Sequence, residues 1–237
     1  MSYILVCFII GLALLVHETG HFVLAQMVKI PIERFSVGLG PRLWGFRAGG
    51  TDFCISLIPF GGYVLPKVES ENDFFRISPW KRIWFSLGGP MANLVSVIPI
   101  LAVFNTATKG LSAAGIFYHP LLQSVGYIKG IVSTVPLLFS QPQNLSGVVG
   151  IVSQGSHIVS TGLAGLLALA AFLSVNLAVL NLLPIPALDG GQILMTLLEA
   201  IWPKWNKIRV PLSILGWLFL ISVMIYATSR DISRLLG

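Results

Sequence analysis

His17, Glu18 and His21 form a His-Glu-x-x-His motif inside a long apolar stretch near the start of the chain. In a helix, residues four apart lie on one face, so both imidazoles can reach a single metal ion. Glu18 is offset to one side, where a carboxylate can hold a water molecule and take its proton instead of binding the metal. Zinc suits imidazole and carboxylate ligands in a tetrahedral site. The motif therefore predicts a Zn²⁺ site; the alternative is a chance match in a helix whose histidines have another role.

The composition is that of an integral membrane protein. Of the 237 residues, 55% are hydrophobic and only 10% are charged, whereas a soluble domain carries about 25% charged residues. The mean hydropathy is +0.85. We attribute the net charge of +6 to cytoplasmic loops in contact with the lipid bilayer, and we expect no nucleic-acid partner. Three ionisable side chains in a membrane-length helix are costly, which favours a functional role for the motif.

The apolar runs predict a mainly α membrane protein with about four transmembrane helices, forming one domain over residues 1–237. The predicted spans are 3–28, 83–104, 162–183 and 210–228. Residues 32–67 alternate like short strands and predict a membrane-associated β-hairpin or sheet between the first two spans, interrupted at 59–63. Residues 105–160 are rich in Gly, Ser and Pro and are expected to be irregular or interfacial. We expect the first helix to be retained, because it lacks the flanking features of a signal peptide.

A second polar segment follows the third span, with the sequence NLLPIPALDGG from Asn181 to Gly191. Its two prolines stop the helix, and its paired glycines allow a tight backbone path. Asp189 is interpreted as the third zinc ligand; the alternative is an N-cap for a helix that follows from Gln192. Asn93, in the second span, either packs against another helix or faces the active site. The lone histidines His119 and His157 fall outside any ligand spacing.

The distribution of basic residues gives an orientation that does not depend on the metal hypothesis. The connections 29–82 and 204–209 together contain eleven of the fifteen lysines and arginines. The positive-inside rule therefore places both connections in the cytoplasm and both termini outside. This orientation brings His17, His21 and Asp189 to the cytoplasmic end of their spans, so the predicted active site lies toward the cytoplasmic side.

Two pairs of motifs resemble a known family. HETGH at 17–21 and NLLPIPALDGG at 181–191 resemble the site-2 proteases, which are intramembrane zinc metalloproteases. IPFGGYV at 58–64 and GGPMAN at 88–93 resemble the bacterial branch that contains the regulator of sigma-E protease. The resemblance covers residues 1–104 and 140–237. It implies a multi-pass protein of the bacterial inner membrane that cleaves transmembrane proteins or remnant signal peptides.

The resemblance also implies residue roles. His17, His21 and Asp189 would bind Zn²⁺, Glu18 would be the general base, Asn181 would lie near the substrate backbone, and Gly61, Gly62 and Tyr63 would belong to a β element that engages the substrate as an added strand. If Asn93 faces the active site, it would also bind the substrate, and we include it among the substrate-binding residues.

The chain departs from that branch between the second and third spans, where the branch usually carries one or two PDZ domains. Residues 105–160 are too few for one. Either the protein naturally lacks these domains or they have been removed, and an accessory partner would then replace their function. Two other functions remain open: a metal transporter that uses the same residues as a transit site, and a non-catalytic scaffold with a structural zinc.

Overall fold

The computed structural model describes residues 1–68, 71–141, 145–202 and 205–236. Residues 142–144 of the segment expected to be irregular, and Lys204 of the second basic connection, lie outside the described residues. The chain divides into two compact units. The first contains 1–10, 94–179 and 216–237; the second contains 11–93 and 180–215, and it carries every predicted site residue.

The described residues form eight α-helices. Their bounds are α1 Ser2–Met27, α2 Glu71–Arg76, α3 Pro79–Lys109, α4 His119–Ser140, α5 Val148–Val159, α6 Leu163–Asn181, α7 Asp189–Ile201 and α8 Asn206–Leu236. Among these described helices, four segments are long and apolar enough to cross a membrane: Ser2–Met27, Pro79–Lys109, Leu163–Asn181 and Ile208–Arg234. The prediction of a mainly helical, multi-pass membrane protein with four spans is confirmed, although two of the spans are longer than expected.

Most of the segment expected to be irregular or interfacial forms helices, so the irregular alternative is wrong, while the interfacial alternative stays a prediction. After α3 ends at Lys109, a π-helical turn at Ala114–Tyr118 leads into α4, and α5 follows. The buried Asn105 supports the turn, because its Nδ2 donates to the Gly115 carbonyl oxygen at 3.3 Å and to Gln123 Oε1 at 2.9 Å. Prolines and glycines obscured these helices in the sequence, but proline is tolerated at the start of a helix and in membrane helices whose freed backbone groups find other partners.

The first unit has two apolar clusters. One contains Val97, Leu101 and Ile131 with three residues of α6, and the other joins Val6 and Ile9 of α1 to Val159 and Leu169. Helices α3, α4 and α6 therefore share one packing face, and α1, α5 and α6 share another.

The β element consists of two long, bent strands, β1 Ile32–Ala48 and β2 Thr51–Pro66, which pair antiparallel. Gly49 and Gly50 form the turn with φ values of +57° and +85°, a region that glycine adopts without strain. The expected interruption at 59–63 is wrong, because β2 continues through it. Phe35 pairs with both Phe53 and Val64, so residues 34–37 lie between 52–55 and 62–65. Within the described chain, 62–65 pairs on one side only, which leaves an open sheet edge.

Aromatic packing attaches this sheet to the end of α1. The Phe22 ring lies 5.6 Å from the Phe35 ring and 5.4 Å from the Phe53 ring, both in edge-on contacts. Ala25, Ile30 and Ile32 form the buried centre of the same cluster. Because Phe22 directly follows His21, this packing sets the sheet beside the His-Glu-x-x-His motif.

Candidate metal centre

The two histidines of the motif lie on one face of α1, as their spacing predicts. Their rings are 4.9 Å apart between centroids and nearly perpendicular. His17 and His21 are only 5% and 7% exposed. Burial of two imidazoles on an otherwise apolar helix requires polar partners for their nitrogens.

Glycines allow α3 to reach these imidazoles. A Cβ on Gly20 would lie 2.1 Å from the Gly88 carbonyl oxygen, so α1 and α3 are in direct backbone contact at this point. A Cβ on Gly89 would lie 2.5 Å from Nε2 of both His17 and His21. The Gly88–Gly89 pair is thus the point where a second helix closes one side of the histidine pair, a close approach that only small residues permit.

Each imidazole has a partner on α3 at its Nδ1 atom. The Nδ1 of His21 donates to the Phe85 carbonyl oxygen at 2.7 Å, and the Nδ1 of His17 lies 3.3 Å from Nδ2 of Asn93. With Nδ1 of His21 protonated, the neutral ring has its lone pair on Nε2. The His21 contact is an outer hydrogen bond of the kind that orients metal-binding histidines. The Asn93 amide would do the same for His17 when its oxygen, rather than its nitrogen, faces Nδ1.

Asp189 brings a carboxylate to the two Nε2 atoms. It is the first residue of α7, and the N-cap position belongs to Leu188, so the alternative interpretation of Asp189 as an N-cap for a helix from Gln192 is wrong. Its Oδ2 lies 3.1 Å from His17 Nε2, and its Oδ1 lies 3.5 Å from His21 Nε2. Only seven residues, 182–188, separate the end of α6 from the start of α7. Prolines in this stretch and glycines directly after Asp189 allow the sharp change of direction.

The arrangement fits a single cation. One ligand atom from each of His17, His21 and Asp189 lies within 4.8 Å of the others, whereas ligand atoms of a tetrahedral zinc site are separated by about 3.3 Å. The buried Asp189 Oδ2 makes no well-oriented hydrogen bond, although His17 Nε2 lies 3.1 Å away, and the His21 lone pair on Nε2 faces Oδ1 of the same carboxylate at 3.5 Å. Two facing acceptors require a proton or a cation between them. Three protein ligands leave the fourth position of a tetrahedron open, as in catalytic zinc sites.

Glu18 lies where α1 meets the edge segment of β2. A Cβ on Gly62 would lie 2.8 Å from Glu18 Cγ and 2.8 Å from the Ser36 carbonyl oxygen. Only a residue without a side chain fits between the β1 backbone and this carboxylate. Gly62, the first residue of the open sheet edge at 62–65, therefore lies directly against Glu18.

The remaining predicted residues occupy different positions around this centre. Gly61 has a φ of +111° and Tyr63 is half-buried in the same edge segment. Asn181 is the last residue of α6; it is half-buried and makes no side-chain hydrogen bond to the described residues. Asn93 is fully buried against His17, so the structure orients it toward a predicted ligand. His119 and His157 do not belong to the cluster of predicted ligands. The substrate-binding assignments stay predictions.

Sequence reasoning missed a buried charge cluster next to the centre. Arg82 of α3 forms two hydrogen bonds with Glu199 of α7, at 2.8 and 2.7 Å, and Arg209 of α8 adds a third at 3.0 Å. Burial raises the pKa of Glu199, but the two guanidinium groups outweigh it and hold this pKa below its usual value. The sequence did contain a signal for this cluster: charged residues lie beside apolar helices, and such charges are expected to pair.

Comparisons with known proteins agree on one family. The model of the family described as "Peptidase family M50" matches residues 5–224. A Helicobacter pylori protein named "Putative zinc metalloprotease" is 27% identical over 351 aligned positions, which cover 99% of this chain and all of that protein. A Campylobacter jejuni protein with a similar name is 25% identical, with 100% of this chain and 95% of the relative covered. A Chlamydia pneumoniae protein is 36% identical over 54% of this chain and 24% of its own length.

The aligned lengths also differ from the length of this chain. The Helicobacter pylori alignment has 351 positions, whereas the present chain has 237 residues. That relative therefore carries internal segments for which this chain has no counterpart.

Proposed function

Because this chain belongs to peptidase family M50, the site-2 protease family, we propose that it is a membrane zinc endopeptidase that cleaves a locally unwound transmembrane segment of a membrane-protein substrate. The convergence of His17, His21 and Asp189 on one point, from two segments far apart in the sequence, carries this proposal. The names of the relatives support the reaction class.

His17, His21 and Asp189 would hold Zn²⁺ through two Nε2 atoms and one carboxylate. When bound, the ion supplies polarisation of the scissile carbonyl and activation of a water molecule. The protein supports this role by fixing the histidine rings from α3, so that the ligand atoms are positioned before the metal arrives.

Glu18 is the proposed general base. Its carboxylate takes a proton from the attacking water and delivers it to the nitrogen of the leaving amine. The contact of Glu18 with Gly62 supports this role, because a peptide paired along residues 62–65 would lie near the carboxylate. A glutamine in its place could hold water but could not take up the proton.

The open edge of the sheet offers a way to bind an unwound substrate. A transmembrane helix hides its peptide carbonyls in i to i−4 hydrogen bonds, so it must unwind before hydrolysis. Unpaired backbone groups in a membrane cost several kcal/mol each. Pairing with the edge at 62–65 replaces the lost hydrogen bonds. The Asn181 side chain, which has no partner among the described residues, would hold the extended peptide or its developing oxyanion.

The decisive experiment compares two Glu→Gln variants of the purified full chain in vesicles that contain a membrane-helix reporter. Glu18→Gln is expected to keep wild-type zinc content and to lose cleavage by about a hundredfold or more. Glu33→Gln, at an exposed position of β1, is the matched control and is expected to cleave normally. Retained turnover in Glu18→Gln would remove Glu18 from the mechanism, and a zinc-free wild-type protein would contradict the whole proposal.

The proposal extends to the location and partners of the protein. We place it in the bacterial inner membrane with both termini outside and the metal centre toward the cytoplasm. Its substrates are transmembrane proteins or remnant signal peptides, and an accessory partner replaces the PDZ domains. In intact spheroplasts, tags at the two termini should be digested by added protease, while a tag in the 49–50 turn should be protected. The reverse pattern would invert the orientation.

A further inference from the structure

The first turn of α7, which carries Asp189, is held to the preceding loop by backbone contacts. A Cβ on Gly190 would lie 2.2 Å from the Leu182 carbonyl oxygen, and one on Gly191 would lie 2.0 Å from the Ile185 carbonyl oxygen. These contacts bring the loop directly against the first turn of α7. A side-chain hydrogen bond adds to these backbone contacts.

Gln192 makes such a contact one turn after Asp189. Its Nε2 donates to the Pro186 carbonyl oxygen at 2.8 Å and lies 3.4 Å from Ser213 Oγ. Pro186 lies three residues before Asp189 and Gln192 lies three residues after it. The hydrogen bond therefore closes the loop around the predicted ligand.

Arg209 determines which way the Gln192 amide points. Its Nη2 donates to Gln192 Oε1 at 2.7 Å. A guanidinium only donates, so the atom that faces it must be the amide oxygen. The amide nitrogen is then directed at Pro186, and the orientation of the side chain is specified by its partners.

Arg209 is in turn held by a network that begins on α3. It is 6% exposed, lies 5.4 Å from the Phe75 ring centroid and donates to Glu199. Glu199 also accepts two hydrogen bonds from Arg82, which is 1% exposed. Arg82 precedes Phe85 by three residues on α3, and the Phe85 carbonyl fixes His21. The same few turns of α3 therefore support the histidine ligands and, through Glu199 and Arg209, the helix that carries Asp189.

We propose that Gln192, oriented by Arg209, is a positioning residue that aligns the Asp189 carboxylate with His17 and His21 for metal binding. This inference rests on the proposed function, because it assumes that the three side chains bind Zn²⁺. Gln192 acts through Asp189 and the loop around it, and it touches neither the metal nor the substrate. Substitution of such an outer partner typically weakens metal binding by about 10- to 100-fold.

The test is a Gln192→Glu variant of the full chain, which preserves side-chain size and the acceptor for Arg209. It replaces the donor that faces Pro186 by an acceptor, so the closing hydrogen bond is lost. The matched control is Gln154→Glu on the exposed face of α5. Zinc affinity is measured by competition with a chelator, and ligand geometry is measured from the visible spectrum of the Co²⁺-loaded protein. Thermal unfolding of the metal-free proteins reports stability separately.

We expect Gln192→Glu to weaken Zn²⁺ binding by about 10- to 100-fold and to alter the Co²⁺ spectrum, with the control unchanged. Arg209→Lys is the second variant, for use if Gln192→Glu does not fold. Lysine can still pair with Glu199, but it lacks the planar fork that reaches Gln192 at the same time. It should also weaken Zn²⁺ binding. Wild-type affinity and an unchanged spectrum in the folded variant would overturn the inference.

The inference and the proposed function fail in different ways. If wild type binds Zn²⁺ and His17→Ala abolishes binding, while Gln192→Glu binds like wild type, only the positioning role is wrong. If wild type binds no Zn²⁺, the proposed metalloprotease function is wrong.

Discussion

His21 donates its Nδ1 hydrogen to the backbone carbonyl of Phe85 at 2.7 Å, so a ligand on α1 is oriented by the main chain of α3. Because the acceptor is a main-chain carbonyl, a substitution of the Phe85 side chain does not remove it. This contact also fixes the tautomer that leaves Nε2 available to a cation. The relative position of α1 and α3 is therefore as important to the metal centre as the identity of the ligands.

Gly89→Ala is expected to abolish zinc binding. Its Cβ would lie 2.5 Å from both histidine Nε2 atoms, and relief of that overlap requires α3 or the imidazoles to move. Zinc content of the purified protein should fall at least about tenfold, since overpacking costs about 1–3 kcal/mol and the ligands themselves are displaced. Gly11→Ala on α1 is the control, because a Cβ there meets nothing within 4 Å. A normal zinc content in Gly89→Ala would show that the helix contact is looser than described.

Gly62→Ala is expected to separate catalysis from metal binding. Its Cβ would contact the Glu18 side chain and the Ser36 carbonyl, but none of the three ligand side chains is among its contacts. Cleavage of the membrane-helix reporter should fall about tenfold or more, because small misplacements of a catalytic group are costly. Zinc content should stay at the wild-type level. Gly130→Ala, in an open position on α4, should leave both unchanged, and full activity in Gly62→Ala would argue against a role for this edge.

Asn93→Leu is expected to weaken zinc binding without removing a ligand. The substitution removes the polar group beside His17 Nδ1, so the ring loses an orienting partner, and affinity should fall about 10- to 100-fold by chelator competition. Asn176→Leu, on a half-buried part of α6, serves as the control. If zinc affinity is retained while cleavage is lost, Asn93 acts on the substrate, as the sequence analysis assigned it.

The Glu199 cluster predicts how stability depends on pH. The folded-state pKa of Glu199 lies below its usual value, so its contribution to stability is present above the unfolded pKa of about 4.3 and is lost as pH falls through the folded pKa. Thermal unfolding in detergent should therefore show a wild-type advantage over Glu199→Gln at pH 6–8 that shrinks below about pH 4. An advantage that is independent of pH would mean that packing, not charge, is lost in the variant.

Arg82→Met is expected to destabilise the protein strongly. Arg82 is almost fully buried and donates both guanidinium ends to Glu199. Removal of one partner of a buried ion pair costs about 3–5 kcal/mol, although Arg209 would still pair with Glu199 and reduce the loss. Arg76→Met is the control, because Arg76 forms an exposed pair with Asp73, and such pairs are worth at most about 1 kcal/mol. Equal melting temperatures for the two variants would contradict the assigned importance of the cluster.

The sequence by itself determined the four membrane helices, the β element and the three predicted ligands. Helix length and hydropathy depend on local composition, and His17 and His21 are brought together by helical periodicity alone. Asp189 could be selected because a carboxylate beside a proline-broken membrane helix has few other roles. Local sequence also explains what failed, because glycines and prolines at 105–160 and 59–63 suggested breaks. The hydrogen bond between Asn105 and Gln123 supports the first segment, and pairing with the β1 backbone keeps the second in the strand.

Only the tertiary structure decided which groups surround the ligands. The Phe85 carbonyl that orients His21 has no sequence signature, because every residue has a carbonyl. The approach of Gly89 to both imidazoles, and of Gly62 to Glu18, depends on how separate elements pack. The hydrogen-bond network that runs from Arg82 through Glu199 and Arg209 to Gln192 joins residues up to 117 positions apart. Such contacts depend on the positions of whole helices, and local propensity carries no information about them.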